Sequence, residues 1–135
     1  LHSQLDHGPI SQSGRFDGRE PCLMNIEDAV TRGLVGGQLV RIFHGRWACL
    51  AAVPFSYQIM QGVIQIATGA WFDPESDTGL NGNPNVLTPD KGTSQLAQGP
   101  IAHSCLVEVE AASEGIVHSQ IYTPPVIIKS KRDSV

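Results

Sequence analysis

Hydrophobic and polar positions alternate over short stretches of this 135-residue chain, and the period is that of strands. Cys105–Glu110 shows it most cleanly, with Val107 and Val109 on one face and Glu108 and Glu110 on the other. Leu39–Phe43, Ala48–Val53 and Val63–Ala67 are further apolar runs of strand length, the last with Gln65 inside it. His44-Gly45-Arg46, between the first two of these, suits a hairpin connection. These four segments are expected to share one barrel. One helix is well marked, over Ile26–Arg32, and is expected outside that barrel. Asn25 is its N-cap, and Asp28 three residues later makes a variant of the capping box. Glu27 and Asp28 put negative charge in the first turn, where the helix dipole favours it, and Arg32-Gly33 ends the helix.

Outside these elements the pattern breaks down. Residues 1–18 are polar and turn-rich and read as irregular structure. Residues 68–104 hold Gly69, Gly79, Gly82, Gly92 and Gly99, together with Pro74, Pro84, Pro89 and Pro100. Trp71, Phe72, Leu80, Val86, Leu87 and Leu96 run through the same stretch and argue against disorder, so it reads as an ordered, functional loop region. The last 25 residues, with Pro124-Pro125 and then Lys129, Lys131 and Arg132, read as a weakly ordered tail.

Composition narrows the function classes. Only 16% of residues are charged, and 14 Gly and 9 Pro favour turns and loops over a helical bundle. The net charge of −4, with no basic stripe, argues against general binding to nucleic acid. No apolar run reaches the length of a membrane span. The opening Leu1-His2-Ser3-Gln4 has neither an initiator Met nor a signal pattern and reads as a chain cut from something longer or processed. Cys22, Cys49 and Cys105 form no C-x-x-C pair and read as small buried hydrophobes. Asp73, Glu75 and Asp77 read as a solvated acidic loop, because the calcium-loop pattern is absent. His103 and Ser104 are adjacent, which on a strand sends them to opposite faces and makes no nucleophile–base pair. Trp71 reads as a core anchor. What remains is a cluster of polar, uncharged side chains among glycines: Asn81, Asn83, Asn85, Thr88, Thr93, Ser94, Gln95, Gln98, His103 and Ser104. Amides offer donors and acceptors together, and glycine lets a backbone approach closely, so the stretch suits a nucleotide-like ligand.

Several runs in order carry a resemblance. They are Gly18-Arg19-Glu20-Pro21-Cys22-Leu23-Met24-Asn25, Asp28-Ala29, Arg32-Gly33 and Val40-Arg41-Ile42-Phe43. Thr68-Gly69-Ala70-Trp71-Phe72-Asp73-Pro74, Gly82-Asn83-Pro84-Asn85-Val86-Leu87-Thr88, Gly92-Thr93-Ser94 and Leu96-Ala97-Gln98-Gly99 follow. Together they resemble the C-terminal molybdopterin-dinucleotide-binding domain of the dimethyl sulfoxide reductase family, which includes the trimethylamine N-oxide and biotin sulfoxide reductases. The resemblance covers residues 1–110, leaving 111–135 as a divergent C-terminal tail. It implies a mainly β fold, a six-stranded double-psi β-barrel with one or two short helices. It implies a molybdenum bis(molybdopterin guanine dinucleotide) cofactor, with His2, Ser3 and Gln4 against it, Asn85 and Gln98 in hydrogen-bond reach, and Gly99 and His103 close by. The family's metal ligand and most substrate contacts come from upstream catalytic domains, so this chain would supply cofactor binding and no catalytic or metal-ligating residue. The complete enzyme would take an oxygen atom from an S-oxide or N-oxide and release it as water with two electrons and two protons.

The chain also departs from the family pattern. Trp47 stands where a glycine of the hairpin is usual, Gln38 stands for an Asp in the turn before the first barrel strand, and Pro54-Phe55 replaces a polar turn. These departures motivate an alternative: a free-standing double-psi barrel that serves as a protein–protein or assembly module with a decayed cofactor site.

Overall fold

The computed structural model describes residues 3–45, 47–101, 105–113 and 118–128. Its strands, in chain order, are β1 (Cys22–Met24), β2 (Leu39–His44), β3 (Trp47–Ala52), β4 (Ile64–Ile66), β5 (Pro74–Glu75), β6 (Thr78–Gly79) and β7 (Glu108–Ala111). Two short α-helices, α1 (Pro9–Ser13) and α2 (Ile26–Thr31), and 3-10 turns at Ser3–Leu5 and Pro84–Val86 complete it. The architecture is mainly β with two short helices, as the resemblance implies.

β2 and β3 form the centre. They pair antiparallel from Leu39↔Ala52 to His44↔Trp47. Ala48 to Ala52 of β3 are all buried, which is why that strand is a continuous apolar run and not an alternating one. β2 alternates instead: Val40 and Ile42 are fully buried, while Arg41 lies over the Phe43 ring on the other face. β7 adds to the free edge of β2 with Val109 opposite Ile42. The β5–β6 hairpin joins the other edge of the sheet, β6 running parallel to β3. The sheet order is β5-β6-β3-β2-β7.

Three of the four predicted strand segments therefore share one sheet, but Ile64–Ile66 does not. It pairs with β1 in a separate two-stranded sheet, in the register Cys22↔Ile66 to Met24↔Ile64. β1 is only three residues long, too short for an alternation to show in sequence. Parallel bridges Pro21↔Ala52 and Met24↔Phe55 dock this small sheet on the end of β3. Both sheets share one core of Cys22, Met24, Val40, Ile42, Cys49 and Val53, to which Leu87 and Val109 add. The ladders of the described residues do not close these strands into a barrel.

α2 is built as its sequence dictates, with one change. Asn25 Oδ1 accepts from the Glu27 N–H at 2.9 Å, and Asn25 Nδ2 donates to the Ile59 carbonyl at 2.8 Å. Asp28 does not reach back to complete a capping box; its Oδ2 accepts from the Gly62 N–H at 2.7 Å and pins the loop before β4. At the other end Leu34 N–H donates to Ala29 O and Gly33 N–H to Val30 O, a Schellman closure with Ala29 and Leu34 buried against one another's turn.

Residues 1–18 are less irregular than their composition implies. Pro9 opens α1 at a first-turn position, where its missing N–H costs nothing. The hairpin is also simpler than the family pattern suggests. Gly45 takes the left-handed conformation, with φ 61°, and Trp47 already pairs with His44 as the first residue of β3. Trp47 therefore never occupies a left-handed position, and its replacement of a glycine is sterically harmless. The three cysteines are free; Cys22 and Cys49 are buried as predicted, whereas Cys105 is only half-buried, and burial pushes the thiols of Cys22 and Cys49 up to about 12, so neither is a nucleophile.

Candidate functional site: an amide-lined cleft and a buried polar knot

The glycine- and asparagine-rich stretch folds into the wall of a cleft. Asn83 caps the Pro84–Val86 turn: its Oδ1 accepts from the Asn85 N–H at 2.9 Å, and its Nδ2 donates to the Ala70 carbonyl at 2.7 Å. Leu87, almost fully buried, nails the end of that turn into the core. Asn85 is thus held at the middle of a fixed turn with its side chain exposed, and that amide has no hydrogen-bond partner among the described residues.

The facing wall is the loop from Gly92 to Pro100, closed by a bridge between those two residues. Inside it Thr93 N–H donates to Gly99 O, and Thr93 Oγ1 donates to Ala97 O at 2.6 Å. Gln98 folds back so that Nε2 donates to Ser94 O at 2.9 Å, while Oε1 lies against Gly92, where a Cβ would meet it at 2.3 Å. Glycine at 92 is what lets the amide lie there.

Asn85, Thr88, Lys91 and Gln98 together line a cleft of about 460 Å³. A second cleft of about 260 Å³ shares Asn85 and Thr88 and has an apolar floor of Ile64, Ile66 and Leu87, with half-buried Cys105 at its side. Gly99 is half-buried beside Gln98. Gln4 is exposed on the Ser3–Leu5 turn and lines neither cleft among the described residues; Ser3 is placed in the same turn. His2 and His103 lie outside the described residues. Lys91 and Asp90 carried no signal in the sequence, since an isolated charge in a loop is ordinarily solvated; here both line the larger cleft.

The second feature is a buried polar knot that no local pattern foretells. Arg15 and Asp6, each with a side chain only 2% exposed, are ion-paired at 2.9 Å. Arg15 also donates to Asn81 Oδ1 at 2.9 Å and to the Tyr122 hydroxyl at 2.6 Å, and Glu20 lies 3.5 Å away. The Tyr122 hydroxyl donates to Asp6 Oδ2, which also accepts from the Trp71 N–H at 2.8 Å. Asn81 Nδ2 donates to the Trp71 carbonyl at 3.0 Å and to Tyr122 at 2.9 Å. The His7 and Tyr122 rings flank that of Trp71, with centroids 5.3 and 5.5 Å away. Trp71 is thus an anchor in this knot and not in the apolar core.

Burial pushes the Asp6 carboxyl up, but the bonds from Tyr122, Trp71 and Arg15 outweigh it and hold the group below its ordinary value. Glu20 goes the other way. Burial raises it, and the distant Arg15 contact only partly opposes that. Burial and the bond to Asp6 push Tyr122 up to about 12. The knot is a structural ion cluster, internally satisfied except at Arg15 Nε, which has no partner among the described residues. Among the described residues no cluster of three or more His, Cys, Asp or Glu comes together to hold a metal, and no helix is long and apolar enough to cross a membrane.

A family model, the molydopterin dinucleotide binding domain, matches residues 1–106. The chain belongs to that family. Relatives of this domain include the biotin sulfoxide reductase of Cereibacter sphaeroides, 45% identical over 113 residues, which are 82% of this chain and 15% of that protein. The trimethylamine-N-oxide reductase of Salmonella typhi is 46% identical over 116 residues, 82% of this chain and 14% of that protein. The dimethyl sulfoxide/trimethylamine N-oxide reductase of Rhodobacter capsulatus is 42% identical over 115 residues, 82% of this chain and 14% of that protein. The chain thus spans 14–15% of the length of these three relatives. Among solved structures, acetylene hydratase from Pelobacter acetylenicus superposes with a TM-score of 0.65 at 14% identity, over 83% of this chain and 16% of that one. At that identity the likeness speaks for the fold alone. Named relatives that are all S-oxide or N-oxide reductases place the domain in an enzyme family and do not favour a free-standing assembly module.

Proposed function

We propose that this chain is the cofactor-holding domain of a molybdenum-dependent S-oxide or N-oxide reductase, and that it binds molybdenum bis(molybdopterin guanine dinucleotide) along the Asn85–Gln98 cleft. The observation that carries this reading is the convergence of two neutral amides, 13 positions apart in sequence, on one cleft, one of them with its donor and acceptor both uncommitted. A pterin or guanine edge presents donors and acceptors side by side. Asn85 and the free Oε1 of Gln98 can meet both kinds without burying an unpaired charge. Lys91, the one cation among the cleft's lining residues, suits a phosphate linker. His2, Ser3, Gln4, Gly99 and His103 are proposed to complete the contacts. Bound there, the group supplies two-electron oxygen-atom transfer, and the protein positions and tunes it. This chain's own residues bind and orient; the metal ligand and the substrate contacts are assigned to upstream domains of the same enzyme.

The test is metal and pterin analysis of the complete polypeptide and its Asn85→Ala and Gln98→Ala variants. Each loss leaves a ligand group unpaired and should weaken cofactor binding by roughly 1–3 kcal/mol. Full retention in both variants sinks the assignment. Reduction of an S-oxide or N-oxide by the 135-residue chain alone would overturn its restriction to cofactor binding.

A further inference from the structure

We infer that the Asp6–Arg15–Asn81–Tyr122 knot is a positioning device: it ties the root of the Ser3–Gln4 segment to the root of the Asn85 turn, so that the two proposed cofactor-contacting elements are set by one anchor. The inference rests on the function proposed above and adds to it residues that touch no cofactor.

The geometry has three parts. On the N-terminal side, the chain directly after Gln4 is fixed at three points. Leu5 O accepts from the Gly8 N–H at 2.9 Å and from Ser11 Oγ at 2.7 Å. Asp6 O accepts from Gln12 Nε2 at 2.8 Å, and the Asp6 carboxylate is held by Arg15, Tyr122 and Trp71. On the cleft side, Asn81 is in the knot, Asn83 is bonded to Ala70 and caps the turn, and Asn85 follows. The path from knot to cleft amide is therefore a short run of chain with polar anchors at both alternate asparagines. Gln4 itself lines neither cavity, so its bearing on the cleft runs through the chain that follows it.

The third part is Tyr122. It comes from a segment 116 positions from Asp6 and 41 from Asn81, and its hydroxyl bonds to both, as well as to Arg15. Ser119, three residues earlier, donates to Asp73 Oδ2 and gives the same segment a second tether. A single hydroxyl that donates once and accepts twice closes the knot, and hydrogen bonds to ionised groups in a water-poor site are the strong ones. Removing it leaves Asp6 and Asn81 each short of a partner while the ring still fills its place beside Trp71.

The test uses the complete polypeptide. Tyr122→Phe and the milder Ser119→Ala are compared with Asn85→Ala by hydrogen exchange and by pterin retained after gel filtration. Peptides from 39–52 serve as the folding control. Tyr122→Phe should raise exchange in 3–15 and 118–128 together and cut retained pterin, each roughly tenfold. Ser119→Ala should move both in the same direction by less. Asn85→Ala should cut pterin with exchange at 3–15 unchanged. Faster exchange at 3–15 with full pterin in Tyr122→Phe makes the knot a mere structural rivet and overturns the inference; so does unchanged exchange. If Tyr122→Phe speeds exchange in 39–52 as well, Ser119→Ala decides by the same criteria. Full pterin in Asn85→Ala and Gln98→Ala, by contrast, overturns the proposed site itself.

Discussion

Asn81 and Asn85 are four residues apart and do opposite things. Asn81 is 3% exposed, and its amide is used on both sides, accepting from Arg15 at 2.9 Å and donating to Trp71 O and Tyr122. Asn85 is exposed, its backbone is fixed by Asn83 and Thr88, and its amide is left over. The same side chain is architecture in one place and an open binding group in the other. Burial sets the difference: an amide in a water-poor knot must be satisfied within the fold, whereas one on a cleft wall keeps its donors and acceptor for a ligand. The contrast extends to charge. The knot collects Asp6, Arg15 and Glu20 out of water, and the cleft keeps its two charges, Lys91 and Asp90, exposed.

The largest effect should come from the knot's cation. Arg15→Met keeps volume but leaves Asp6 and Glu20 buried with no positive partner, a loss of roughly 3–5 kcal/mol in stability. Hydrogen exchange of the β2 and β3 amides reads this domain without interference from any other. A loss under about 1 kcal/mol would mean that the knot is not load-carrying electrostatically and would break the comparison. Next come the two asparagines themselves. Asn81→Ala should cost roughly 1–3 kcal/mol of stability, whereas Asn85→Ala should stay within about 0.5 kcal/mol and lower only cofactor retention. Equal stability losses at 81 and 85 would erase the distinction.

This contrast bears on what could be read from sequence. α2 was legible because a cap, two acids and a glycine all act within one turn of it, and the β2–β3 hairpin because Gly45 sits between two apolar runs. β1 was not, since its pairing with β4 spans 40 to 44 positions and three residues carry no period. Nor was the second acid of α2 legible in its true role, because the Gly62 N–H that takes Asp28 lies 34 residues on. The cleft was half legible. Its neutral, glycine-rich composition pointed to a ligand, and the resemblance supplied Asn85 and Gln98, but Lys91 looked like any loop lysine. The knot left no trace: Asp6, Arg15 and Tyr122 are polar residues in turn-rich or tail segments, and contacts over 41 to 116 positions make them interior. For the same reason the stretch after 111 reads as a loose tail in sequence, while Tyr122 within it is one of the best-connected side chains.

The two buried carboxyls sharpen the comparison through pH. Asp6 is held below its ordinary 3.8, so the folded state binds its proton less readily than the unfolded chain. Its stabilisation is complete above that value and is lost as pH falls through the lower folded one. Glu20 is raised above 4.5, so its sign is reversed: the folded state favours its proton, and stability falls as pH rises from 4.5 through the folded value. Glu20→Gln should therefore be more stable than the parent at neutral pH and converge with it in acid. Asp6→Asn should be less stable at neutral pH and lose less on acidification. Urea unfolding of the parent and both variants, from neutral pH into acid, measures this. Parallel curves for all three would show that neither carboxyl titrates differently on folding.

The smallest effect tests the cleft's own geometry. A Cβ at position 92 would lie 2.3 Å from Gln98 Oε1, 3.1 Å from its Cδ and 3.2 Å from its Cα. The end of a glutamine side chain is flexible and exposed, and the exposed loop backbone at Gln98 need give only slightly, so Gly92→Ala should cost no more than about 1 kcal/mol of stability, chiefly by displacing that amide. The displaced amide gives up its 2.9 Å bond to Ser94 O and leaves the wall it shares with Asn85. Cofactor binding should then weaken by up to about 1 kcal/mol, less than in Gln98→Ala, because the moved amide can still find the ligand part of the time. The two changes act through one side chain, so they should not add: Gly92→Ala in a Gln98→Ala background should cause no further loss. Additive losses would mean that Gly92 serves the cofactor by its own close approach, and that Gln98 is there only to cap its loop.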